Sequence, residues 1–280
     1  MTSPPHHSPS PNTPTPTPTQ RSNSPTPNLT YADIRITRAL LQTLGLPTEL
    51  VLTILSYASY TPTLHFKATH LRIASADTTP AIAAQLSLSA DVLTLRTLQA
   101  LKATKVRTRV REIEFVIRSR DQGWTTQRGV EGTFNTSSWL EASILRPLEG
   151  VGRAGAETGY DWTALFSARR TVADFKQAVG SRGEGFVERV GEGARGPQEG
   201  EEPLAWYLQA ARVGDRNPEP YRVVWRADGS EGNEGAGKGV GFVEALREGD
   251  KVLVWARAKY PGWQCIVDNL EMTVRYGFDE

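Results

Sequence analysis

A chain of 280 residues with 32 basic and 31 acidic side chains has room for one large or two small domains, and its balanced charge excludes the broad positive field of a nucleic-acid-coating protein. One cysteine, Cys265, excludes an internal disulfide and a cysteine-built metal centre; beside Ile266 and Val267 it is expected to be a buried structural thiol. No basic region leads into an apolar run at the N-terminus, and no stretch approaches the ~20 apolar residues of a spanning helix.

The expectation is therefore a soluble, intracellular protein, cytoplasmic or nuclear, without a membrane partner. In that setting Asn28-Leu29-Thr30 and Asn135-Thr136-Ser137 match the glycosylation pattern without being used.

Residues 1–30 form a Pro, Ser and Thr-rich tail almost without apolar side chains, expected to be disordered or transiently polyproline II. Its Ser-Pro and Thr-Pro steps are acceptors for proline-directed phosphorylation, although such dipeptides are unavoidable in this composition. The clearest helix follows at 46–58, where Pro47 suits the first turn. Leu50, Val51, Ile54, Leu55 and Ala58 recur at the spacing of one apolar stripe.

Residues 64–68 and 71–73 read as short strands, and 80–102 as a helical or mixed segment with Leu93, Leu98 and Leu101 on a core or partner-facing stripe. Lys105 to Arg111 alternates cations with other residues, either as the solvated face of a strand or as a phosphate or partner-binding stripe. From Arg109 the period is strand-like, with Arg111, Ile113, Phe115 and Ile117 in one phase, up to a turn at Asp121-Gln122-Gly123.

A strand is expected over 132–145, then a loop marked by Gly150, Gly152, Gly155 and Gly159. The seven glycines and six glutamates of 180–202 predict a disordered insertion. Strands resume at 206–209, 221–225 and 252–256, and the last one points Leu270, Met272, Val274 and Tyr276 to one side. The predicted fold is mainly β: an antiparallel, jelly-roll-like β-sandwich over 105–280, preceded by a helical and mixed segment over 31–104 and the tail.

Few motifs carry chemistry. Gly232 to Gly239 matches a phosphate-binding loop up to Lys238 but has Gly239 where Ser or Thr should stand and no helix to follow, so a flexible hairpin loop is expected. His65 and His70 fall on opposite phases of an extended segment; no metal and no cofactor are expected. Glu141 with Asp161 or Asp268 would serve a glycosidase, since that chemistry needs only two carboxylates at the right separation.

Seven tryptophans, at 124, 139, 162, 206, 225, 255 and 263, suit either a sandwich core or a sugar-stacking face. Trp225 and Trp255 sit inside apolar strands and are assigned to the core. Trp124 and Trp263 follow glycines at turns and are the surface candidates. Arg118, Arg120 and Asp121 beside Trp124 supply polar contacts to a ligand or an ion pair closing the strand end. The ligand-binding set is thus Arg118, Arg120, Asp121, Trp124 and Trp263.

Leu46-Pro47-Thr48-Glu49-Leu50-Val51 with Ile54-Leu55 resembles the opening helix of the F-box, which docks substrate receptors on the Skp1 adaptor of a cullin-RING ubiquitin ligase. The resemblance implies that Leu46, Pro47, Leu50, Val51, Ile54 and Leu55 contact a Skp1-like adaptor. A longer resemblance, over residues 109–276, is to uncharacterised filamentous-fungal proteins of F-box-like or ankyrin-associated type. It is carried by Ser119 to Trp124, Gly132-Thr133-Phe134 with Ser138 to Ala142, Trp206 to Gln209, Gly249 to Val252, and Ala256 to Trp263.

The implied architecture looks like the β-sandwich of plant phloem-lectin proteins. The resulting expectation is a non-catalytic recognition protein whose sandwich binds a protein or glycan, with a carbohydrate-active enzyme or a purely structural scaffold as alternatives.

Overall fold

The computed structural model describes residues 29–68, 70–76, 82–148, 172–189 and 203–279. The expected tail up to residue 28, Asp161, Trp162, the glycine loop at 150–159 and positions 190–202 of the expected insertion lie outside them.

Among the described residues two antiparallel sheets face each other. The first runs β1 (Thr63–Ala68), β11 (Gln264–Asp279), β4 (Arg107–Arg120), β8 (Glu219–Arg226) and β9 (Gly229–Glu231), with β2 (Arg72–Ser75) also on β11. The second runs β3 (Ile82–Ala90), β10 (Lys251–Lys259), β5 (Ser138–Pro147) and β6 (Glu184–Phe186), with β7 (Trp206–Ala210) also on β5. The protein is a mainly β, antiparallel β-sandwich.

Alternation builds the core. On β4, Ile113, Phe115 and Ile117 point inward, and on β11 Leu270, Met272, Val274 and Tyr276 meet them; all are fully buried. A bulge pairs Arg275 with Glu112 but Tyr276 with Val110, so the extra residue, Arg111, is exposed and Val110 takes the buried position expected for it. A second bulge at Asp268 shifts the inward phase from Cys265 and Val267 to Leu270. Burial pushes the pKa of the Cys265 thiol up to about 12, which leaves it inert. Phe115, Trp225, Phe242 and Trp206 form a chain of ring contacts with centroids 4.9 to 5.1 Å apart.

The sandwich begins well before residue 105. β1 and β2 pair with β11, and β3 with β10, so the segment expected to be separate supplies three strands to the two sheets. Leu93, Leu98 and Leu101, around the short helix α3 (Leu95–Ala100), are core residues rather than a partner-facing stripe. Strand β5 starts at Ser138, later than expected, because 121–137 is a turn-rich loop. The start of the expected insertion is ordered: β6 pairs with β5, and helix α4 (Val172–Gly180), absent from the sequence reading, places Val179 on Leu86, Leu145, Leu253 and Trp255.

Two helices precede the strands. Helix α1 (Tyr31–Thr43) opens on a capping box, in which the Thr30 backbone N–H donates to Asp33 Oδ2 (2.8 Å) and the Asp33 N–H donates to Thr30 Oγ1 (3.4 Å). It ends where Gly45 takes a φ of 76°. Helix α2 (Thr48–Tyr57) follows with Pro47 as its N-cap. Tyr31 anchors the pair to the sandwich: its ring lies 4.7 Å from that of Phe278, and its N–H donates to Leu101 O at 3.0 Å.

The stretch 232–239 is a packed strap, not a flexible hairpin loop. Gly237 N–H donates to Leu208 O (2.9 Å), and Gly237 O accepts from Trp225 Nε1 (2.8 Å). Gly239 lies on the indole of Trp225. Gly237 and Gly239 leave no room for a side chain because β7 and Trp225 approach their backbone, and Gly232 and Gly235 are crowded in the same way by Ala236 and Phe134.

Candidate functional site

The two ends of the sandwich carry different surfaces. Strand β11 joins them, and its sixteen residues at ~3.3 Å each separate them by up to about 50 Å. At its C-terminal end sit α1 and α2; at its N-terminal end the turn after β10 meets the loop after β4.

On the helical end, Val51 and Leu55 of the expected adaptor-binding set are buried, Leu46 is half-buried, and Pro47, Leu50 and Ile54 are exposed. The helix stripe is therefore divided: one edge packs inward and the other faces outward. Also exposed are Leu52 and Tyr57 of α2, the latter 89%, and Ile36, Leu40 and Leu44 of the neighbouring α1. Ile36 and Leu40 are four residues apart, as are Leu50 and Ile54, so each helix turns an apolar row to solvent. Sequence reasoning missed the α1 half; the Thr30-x-x-Asp33 capping pattern was the signal for it.

At the other end, Trp124 is 54% exposed. Gln122 holds its backbone, donating from Nε2 to Trp124 O (2.7 Å) while its Oε1 accepts from Gln264 N (3.2 Å). The Asp121 carboxylate is buried and accepts from Gly123 N and Gly214 N, both at 2.7 Å, so it ties this loop to the 211–217 segment. Burial raises its pKa above the ordinary carboxylate range, against the two N–H groups that lower it. Asp121 is a loop pin. Of the two arginines, half-buried Arg120 attracts the carboxylate and helps lower its pKa, while Arg118 is exposed.

Trp263 corrects the sequence assignment: it belongs to the core, 8% exposed, and its carbonyl accepts from Ala76 N (3.0 Å). The exposed aromatic of that turn is Tyr260, a residue within the quoted motif that had not been singled out. It holds a φ of 70°, unusual for a bulky residue, and Lys259 Nζ stands 5.4 Å from its ring. A methyl group on Gly262 would lie 3.7 Å from Trp124 Cη2, so the indole rests over the same turn. Trp124 and Tyr260 are thus brought to one end of the molecule, on backbone fixed by Asp121 and Gln122.

Truncation should separate the two tryptophans. Trp263→Ala is expected to cost about 3–5 kcal/mol, as for a buried Trp. Trp124→Ala should cost well under half of that and leave the urea midpoint nearly in place. Equal losses would show that the Trp124 loop is part of the core.

Of the carboxylates considered for glycosidase chemistry, the two within the described residues lie on different sheets, Glu141 on β5 and Asp268 at the bulge in β11. Glu141 is buried on the outer side of β5, accepting from Trp139 Nε1 (3.0 Å) and lying 3.4 Å from Arg257 Nε, close enough to attract without a hydrogen-bond alignment. His65 Nδ1 is 2.9 Å from Thr273 Oγ1, and no group of three metal-ligating side chains occurs among the described residues.

No family model matches the chain, and no curated protein matches it. Among solved structures it is similar to the protein of the "Crystal structure of decameric BFDV Capsid Protein". The identity is 10%, over 78% of this chain and 98% of that one, with a TM-score of 0.30. A likeness of that degree carries no argument about architecture or role.

Proposed function

We propose that this chain is a non-catalytic recognition protein that docks on a Skp1-like adaptor through α1 and α2 and presents the Trp124 and Tyr260 end of its sandwich to a protein or glycan ligand. Such an arrangement is that of a substrate receptor in an SCF-type ubiquitin ligase, working in the cytoplasm or nucleus. One observation carries the reading: Ile36, Leu40, Leu44, Leu50, Ile54 and Tyr57 are all exposed on two adjacent helices. Single apolar side chains on a surface need no explanation, whereas this many large ones exposed on two neighbouring short helices favour an interaction surface.

The division of the F-box-like stripe supports the same conclusion. Val51 and Leu55 hold α2 in place, which frees Leu50 and Ile54 for a partner. Apolar rows at i and i+4 are the pattern by which a helix is read in a partner's groove.

Co-purification tests it. Wild-type protein should retain a Skp1-type adaptor; Leu50→Asp and Ile54→Asp should lose it with thermal midpoints shifted by no more than the equivalent of about 0.5 kcal/mol. Val51→Asp, which buries a charge, should unfold the helical hairpin. If wild-type protein never captures adaptor, ligase membership is wrong.

A further inference from the structure

We infer that the Trp124 and Tyr260 end takes a proline-rich extended peptide and that its occupant is this chain's own residues 4–14; this rests on the reading above that this end of the sandwich is a recognition surface. The surface offers donors. The indole of Trp124 lies over Gly262, within the turn that the Trp263 N–H closes by donating to Tyr260 O (3.2 Å). Among the described residues neither the indole N–H of Trp124 nor the hydroxyl of Tyr260 has a hydrogen-bond partner, and both side chains are about half exposed. Lys259 adds an ammonium group beside the Tyr260 ring.

The acceptors of the same loop are engaged. Asp121 takes the Gly123 and Gly214 N–H groups on its two oxygens, and the Gln122 amide is held between Trp124 O and Gln264 N. A sugar, whose hydroxyls need acceptors as well as donors, meets these oxygens already occupied. A proline-rich peptide fits what is left: each proline carries a carbonyl acceptor and no N–H, and its ring packs on an aromatic face. Its fixed φ leaves little ordering to be done on binding, which is the basis of polyproline II recognition by exposed aromatic side chains.

Sequence and reach select the occupant. Residues 4–14 hold Pro4, Pro5, Pro9, Pro11 and Pro14 without any Asp, Glu, Lys or Arg, so Lys259 neither attracts nor repels them strongly. Pro5, Pro11 and Pro14 are separated by multiples of three, which sets them on one edge of a helix with three residues per turn. Residue 29 leads into α1 at the C-terminal end of β11, so the length of that strand puts it up to about 50 Å from the Trp124 end. Residues 4–14 lie 15 to 25 positions before residue 29 and, at ~3.1 Å per residue, cover about 45–80 Å. They reach the far end of their own molecule, whereas Pro25 and Pro27, four and two positions before residue 29, do not.

The test uses the full chain. A synthetic peptide of residues 3–15 is titrated into wild-type protein and into a variant with all five of these prolines replaced by alanine, reading the indole N–H resonance of Trp124, assigned through Trp124→Phe. In wild type that resonance should already stand at its bound position, and added peptide should bind about fivefold more weakly than to the tail variant, because tethering gives the native segment a millimolar effective concentration. In the tail-variant background Trp124→Ala should abolish peptide binding, Trp124→Phe, which keeps a ring and removes the donor, should weaken it about fivefold, and Tyr57→Ala at the helical end should leave it unchanged. Equal peptide affinity in wild type and tail variant overturns the tail as occupant. Peptide that moves the Trp124 resonance in neither protein overturns the inference, and movement by chitotriose in its place leaves this end a recognition surface for a glycan. A resonance moved by neither probe and unaltered by the tail substitutions overturns both readings.

Discussion

Replacing Gly237 with alanine is expected to destabilise the protein by about 3 kcal/mol, the upper end of what overpacking usually costs. A Cβ there would lie far inside van der Waals contact with the Tyr207 carbonyl oxygen, a backbone atom of β7 that cannot swing away as a side-chain tip can. The strap must therefore move, and when it moves it withdraws Gly237 O from the buried Trp225 Nε1. Leaving that donor unpaired adds about 1–3 kcal/mol if no water reaches it. Gly180→Ala is the internal control: its Cβ meets nothing within 4 Å, and its φ is not positive. Urea melts of the two variants should differ by most of the Gly237 effect; a Gly237 variant as stable as wild type would mean that 232–239 is not packed on β7.

Loss of Asp250 should be comparably damaging. Its carboxylate, with no exposed surface, accepts from Arg146 Nε at Oδ1 (2.8 Å) and from Arg146 Nη2 and Arg247 N at Oδ2 (both 2.7 Å). The second Arg146 contact also fixes that guanidinium for donation to Ala245 O (2.7 Å), at the end of the short helix α5 (Phe242–Ala245). One carboxylate thus joins β5, α5 and the turn into β10. Asp250→Ala strands the guanidinium, and breaking one side of such a pair costs about 3–5 kcal/mol when it is fully buried. Arg146 is 27% exposed, so the lower part of that range is expected, and Arg146→Met combined with Asp250→Ala should recover part of the loss. If the double variant is no better than Asp250→Ala, the Arg247 N–H bond is the more important of the two.

The Gly249-Asp250 pair in the quoted motif is thereby given a structural meaning. Gly249 takes a φ of 96° to turn the chain into β10, and Asp250 fastens the turn. Of the remaining motif residues, Asp121 and Trp263 also turn out to hold the structure together, while Trp124 and Tyr260 are left at the surface.

The sequence by itself determined the sandwich and much of its core. Alternation along β4, β10 and β11 is a local, period-two signal, and a strand with one face in the core must show it. The helix at 46–58 was legible for the same reason, through its three-to-four spacing. Pairing between distant segments decided the rest. No local pattern says that β1, β2 and β3 close onto β11 and β10, and that long-range choice is why the boundary drawn at residue 105 cuts through the sheets. Trp124 and Trp263 both follow a glycine at a turn, yet one is exposed and the other buried, because burial depends on what lies across the turn. The apolar stripe of α2 likewise has two edges of similar composition. Only tertiary packing decided that Val51 and Leu55 would hold the helix to the protein and that Leu50 and Ile54 would remain for something else.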